Sequence, residues 1–199
     1  MTRTRYDHPV QPLGPFVVAL RLGMPCAPSG VARGRSCPWH PDEAGVLRLH
    51  GWIRPSGQAT SRTPVADLWH EIGHWLTASD AARLTPGFGA GVPYDYGWEA
   101  GKRFPYLQGT PTGDAPASAI GVMLHAYYGR TWDAERHART HSWGVEFAVK
   151  RNPVALHEVH SYLTKAQPQD WYTRAGERLA AADYPSIATL CAALPGGAS

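Results

Sequence analysis

The nine residues Leu68-Trp69-His70-Glu71-Ile72-Gly73-His74-Trp75-Leu76 constrain this chain more than any other stretch, because they suit one secondary structure and one chemistry. Residues four apart stack on one face of an α-helix. With His70 set at zero and a turn of about 100° per residue, Ala66, Asp67, Gly73, His74 and Thr77 fall near one face. Leu68, Trp69, Ile72, Trp75 and Leu76 fall opposite. One face is polar and the other is built for a core, so the pattern predicts an amphipathic helix from about Pro64 to Ala78. Thr63 supplies a hydroxyl to cap the first free amides, and Pro64 suits the first helical position, where its missing N–H would be unsatisfied anyway.

On that helix His70 and His74 present two imidazoles to one point, as a divalent metal requires of its first two protein ligands. Glu71 lies about 100° round the helix, within reach of a water at the metal without being a ligand, which is the position of a general base. Gly73, beside the histidines, leaves room for a neighbouring chain segment. Two histidines on a solvated helix surface would be the bland alternative. The shared polar face and the apolar face behind it favour the metal site.

Composition bounds the rest. The 199 residues are 43% hydrophobic and 18% charged, which fits a globular chain able to bury a core. With 21 Gly and 18 Pro, many ordered loops between short elements are expected. The first 64 residues carry eight arginines against Asp7, Asp42 and Glu43, a basic arm that suits an acidic partner, although a net charge of +3 argues little for nucleic acid. Cys26, Cys37 and Cys191 make no even disulfide framework. Nothing at the N-terminus resembles a signal peptide, and no apolar run reaches the 18 or so residues of a membrane span. A cytoplasmic protein with no membrane partner is expected.

Along the chain, Phe16–Leu20 is a short apolar run bounded by Gly-Pro and Gly23, and Gly45–Arg54 is another bounded run; both read as strands. Residues 24–41 read as a loop. Its Cys26, Cys37 and His40 lack the spacing of a common zinc knuckle and read as free groups. The segment 85–99, rich in Gly and aromatics, suits a pocket wall, with Phe88, Gly89, Tyr94, Tyr96 and Trp98 as substrate contacts. Ala115–Tyr128 reads as a buried helix whose Gly121 is explained by close packing on the His70–His74 helix. Four further helices are expected at about 133–140, 153–165, 168–182 and 185–194. His157 and His160, three apart, read as a solvated face. The expected fold is therefore α+β: a small N-terminal sheet in residues 1–63, a central motif helix, and a mostly helical remainder over 64–199, together one compact domain.

A catalytic zinc takes three protein ligands and keeps one position for water. Asp114 is the first choice for the third, because it opens the downstream buried helix, with Ser118, Gly121 and His125 following on the same face. Glu99 and His125 are the alternatives. Asp114 as a simple helix N-cap is the competing reading.

His-Glu-Ile-Gly-His-Trp resembles the core of zincin-like metalloproteins. A longer likeness is to the elongation factor P hydroxylase family and related small phage and bacterial proteins, in which such a motif precedes a Phe-Gly element and a helix with an acidic residue. Here those positions are Phe88-Gly89 and Asp114, where family members usually carry Glu. The likeness covers about Leu68 to Gly129. It implies a metal centre of two His and one carboxylate.

Three functions follow as expectations. The first is a zinc metallopeptidase acting on a peptide or protein, with Glu71 as general base. The second is an Fe²⁺ hydroxylase using the same ligands, which the hydroxylase resemblance implies. The third is a binding protein whose metal only staples the fold.

Overall fold

The structure, a computed structural model, describes residues 14–28, 47–49, 51–53, 59–61, 65–83, 114–129, 131–141 and 153–195. In chain order the elements are α1 (Pro15–Arg21), β1 (Cys26–Pro28), β2 (Leu47–Leu49), β3 (Gly51–Ile53), β4 (Ala59–Ser61), α2 (Val65–Thr77), α3 (Asp80–Arg83), α4 (Asp114–Tyr128), α5 (Thr131–His141), α6 (Leu156–Lys165), α7 (Asp170–Ala181) and α8 (Ile187–Cys191).

The expected α+β class is overturned, because the described part of the chain is predominantly helical. Extended structure amounts to three-residue segments joined two by two: β1 with β2 in parallel, and β3 with β4 antiparallel, Gly51 facing Ser61 and Ile53 facing Ala59. No sheet of more than two strands occurs among the described residues. Pairs this short cannot form a layer on which a helix would pack. The motif helix α2 finds its main neighbours in other helices, chiefly α4 and then α7, α1 and α5.

The expected strand at Phe16–Leu20 is α1 instead, and its ends explain why. Pro15 occupies the first turn after an extended Gly14. At the other end Gly23 takes φ +68°, a left-handed conformation that glycine adopts without penalty. Gly23 N–H then donates to Leu20 O at 3.0 Å and Met24 N–H to Ala19 O at 3.1 Å, the paired bonds of a Schellman stop. Local start and stop signals outweighed the β-branched pair Val17-Val18. The buried side of α1, Val18 and Ala19 with Met24 beyond it, joins the same core as α2 and α4.

That core is organised by an antiparallel crossing of α2 and α4. A Cβ at Gly73 would overlap the Ala117 carbonyl, and one at Gly121 would stand 2.7 Å from the Trp69 carbonyl oxygen. Each helix uses its glycine to admit the backbone of the other. Trp69, Ile72, Leu76, Ile120, Met123 and Leu124 fill the contact at under 2% exposure. The packing expected for Gly121 is thus present. Leu163, Leu179 and Leu190 carry the core outward into α6, α7 and α8.

The C-terminal end of α2 leaves carbonyls without intrahelical partners, and α7 supplies the donors. Arg178 Nη1 donates to the carbonyls of Trp75, Leu76 and Ala78 at 2.9, 2.8 and 2.7 Å. Arg174 donates to Thr77 O through Nε at 3.2 Å and Nη2 at 3.1 Å. Two cations at the negative end of the helix dipole add favourable electrostatics. Asp80 receives Arg178 Nη2 at 2.8 Å and Arg83 Nη2 at 3.0 Å, and Arg83 lies over the Trp75 ring at 4.2 Å. No helix among the described residues is long and apolar enough to cross a membrane.

Candidate metal centre

The helix expected from Pro64 to Ala78 is observed over Val65–Thr77. Its polar face is not open, because His70, Glu71, His74 and Thr77 are buried at 9, 6, 5 and 4% exposure, covered in part by α4. The glycine crossing draws α4 over the chemical face as well as the apolar one.

The two histidine rings converge. Their Nε2 atoms lie 3.0 Å apart, with ring centroids at 4.6 Å and planes at 89°. Ligands on a tetrahedral zinc, each at about 2.0–2.1 Å, stand about 3.3 Å apart, so a spread of a few tenths of an ångström opens the pair to an ion. Ser118 of α4 reaches the other side of His70, its Oγ 3.2 Å from Nδ1. Ligating histidines commonly hold a polar group at the nitrogen away from the metal. Ser118 was expected on this face and is there.

Asp114 is the first residue of α4. It lies one turn before Ser118, hence on the same face. Because the crossing is antiparallel and sets Ala117 against Gly73, Asp114 stands level with the stretch around His74 to Thr77. The backbone therefore brings it to the motif helix; its side chain lies outside the described residues. Glu99, Phe88, Gly89, Tyr94, Tyr96 and Trp98 lie outside them too, as do Cys37 and His40. Among the described residues no group of three or more His, Cys, Asp and Glu has metal-holding geometry.

His125, the alternative ligand, is committed elsewhere. It stacks on Trp69 with centroids 5.9 Å apart, and its Nδ1 lies 3.2 Å from Nδ1 of the fully buried His137 of α5. Burial pushes its pKa down to about 4, against a weaker upward pull from Asp133. A neutral imidazole inside the core bridges α4 to α5. His137 and the α7 arginines were not legible beforehand, since no spacing links them to the motif. Cys191 is an inert thiol: it donates to Met123 Sδ at 3.6 Å, and burial raises it to about 12. His157 is exposed and His160 partly so, as a solvated face requires.

No protein family, curated protein or solved structure matches the chain.

Proposed function

We propose that the protein is a cytoplasmic metal-dependent hydrolase, a zinc metallopeptidase in type, acting on a peptide or protein substrate. The supporting observation is the convergence of the His70 and His74 Nε2 atoms at 3.0 Å on a buried helix face that also holds Glu71. Two nitrogen donors meeting at one point fit a divalent ion, and Asp114 is the third ligand that the helix register offers. Such an ion, when bound, would supply Lewis acidity toward a carbonyl and toward water.

The chain's own residues do the remainder. His70 and His74 hold fixed positions because Gly73 lets α4 close against them and Arg174 and Arg178 secure the end of their helix. Glu71 takes a proton from the attacking water and passes it to the leaving amine, the role its place beside the two histidines allows. Burial keeps bulk water from competing for these groups.

Changing Glu71 to Gln tests this directly. The variant should retain stoichiometric zinc by elemental analysis while losing cleavage of a peptide library. Peptide cleavage that survives the change overturns the general-base role. Iron in place of zinc, with oxygen uptake and no cleavage, would move the reading to hydroxylation by the same ligands.

A further inference from the structure

We propose that Arg83, Arg174 and Arg178, gathered at the C-terminal end of α2, form a binding site for a phosphoryl dianion, and that Asp80 is the carboxylate such a ligand displaces. Nothing in this depends on an ion at His70 and His74. Two guanidinia meet on one oxygen here: Arg178 Nη2 donates to Asp80 Oδ1 at 2.8 Å, and Arg83 Nη2 donates to the same atom at 3.0 Å. Arg174 lies one turn before Arg178 on α7 and donates to Thr77 O, between the Leu76 and Ala78 carbonyls that Arg178 holds. Three permanent cations therefore converge. Among the described residues Asp80 is the one carboxylate that acts on Arg178.

Charge selects the ligand. One carboxylate against three guanidinia leaves two positive charges, offset only in part by the carbonyl end of α2, which is equivalent to about half an elementary charge. A phosphoryl group carries about −1.5 to −2 at neutral pH and offers three acceptor oxygens to forked donors. The imbalance is felt at Arg178, whose pKa lies below the ordinary guanidinium value through burial first, then through Arg83 and more weakly Arg174, against the pull of Asp80. Donors remain for the ligand: Arg83 Nε is buried with no hydrogen bond, and no bond from Nη1 of Arg83 or of Arg174 occurs among the described residues. The exposures favour exchange. The Asp80 side chain is 80% exposed and can swing into water, whereas those of Arg83 and Arg178, at 23% and 17%, stay in place. Arg83 is held over the Trp75 ring, so its charge is already positioned when the anion arrives.

The test titrates sodium phosphate into the full-length chain, both as purified and after chelator treatment, with Tm and isothermal calorimetry as readouts. Sodium chloride at matched ionic strength is the control. Phosphate should raise Tm saturably in both preparations and chloride should not. Arg83→Gln should weaken phosphate binding about tenfold, the loss of a charge-assisted hydrogen bond. Asp80→Asn, an exposed and isosteric change, should tighten it about two- to fivefold by removing the competing charge. Phosphate held elsewhere, for example by the basic N-terminal residues, would respond to neither change. Phenyl phosphate binding alongside phosphate would assign the site to phosphomonoesters, and phosphate binding alone would assign it to the free ion. Four results overturn the proposal: no saturable response, an equal response to chloride or acetate, a response unchanged in Arg83→Gln, or one abolished by the chelator, which would put the phosphate on a metal. If Arg83→Gln does not fold, the direction of the Asp80→Asn effect decides.

Discussion

Replacing Gly73 with Ala should destabilise the protein, although the same change at most helical glycines does the reverse. Alanine is favoured over glycine inside a helix by about 1 kcal/mol. At Gly73, however, the new methyl would overlap the carbonyl, and crowd the Cα, of Ala117. These are backbone atoms of a helix packed on several sides, so the methyl is accommodated only by moving α4 as a body. Overpacking of a tight core costs about 1–3 kcal/mol, and a backbone obstacle puts this case at the upper end. The net loss is then about 2 kcal/mol, which for a chain of this size lowers Tm by about 4–8 °C. Gly176, inside α7, supplies the control: a Cβ there meets only Ile187 Cδ1, at 3.9 Å, an ordinary contact. Gly176→Ala should therefore gain up to about 1 kcal/mol and raise Tm by about 2–4 °C. Thermal melts followed by circular dichroism at 222 nm compare the two. If Gly73→Ala melts at or above the wild type, the crossing is not as close as described and the reasoning fails.

Arg178→Ala removes the donors to three carbonyls and should cost about 2–3 kcal/mol in urea unfolding, with Arg178→Lys intermediate because a single ammonium cannot reproduce the fork. Asp80→Ala should change little by comparison, since that carboxylate is 80% exposed and its ion pairs are screened. Between about pH 6.5 and 4, the unfolded chain binds a proton at residue 125 that the folded one excludes. Stability contributed there is therefore lost as pH falls through this window, with a slope of at most about 1.4 kcal/mol per pH unit. Unfolding free energies measured across pH 4–7 should show a shallower decline in His125→Gln. Zn²⁺ added in excess should raise the Tm of the wild type and leave that of His74→Ala unmoved, by the linkage between binding and stability; equal shifts in both would place the ion elsewhere.

What could be read in advance follows the range of the interactions concerned. The motif helix was legible because its period, its glycine and its ring spacing all lie within nine residues. Gly121 was legible because a glycine inside a buried helix needs a packing reason, and α2 provides it. Phe16–Leu20 misled because five apolar residues carry no usable period; the decisive information was in Pro15 and Gly23, which mark the ends of a helix as well as the edges of a strand. The N-terminal sheet failed because bounded apolar runs such as Gly45–Arg54 say nothing about partners, and the described pairings are only three residues long. His137 and Arg178 were invisible because their roles depend on contacts with residues 12 and about 100 positions away.

The arginine clasp on α2 also sets an order of events. Its donors lie 97 to 103 residues downstream of the carbonyls they satisfy. A chain emerging from the ribosome therefore exposes His70 and His74 on a helix with an unfinished end, and that end is secured only after residue 178 has been made. Contacts of such separation slow folding. A metal bound as proposed above would meet the nascent motif before the rigid site exists, so its affinity would belong to the whole chain rather than to the segment that carries the motif.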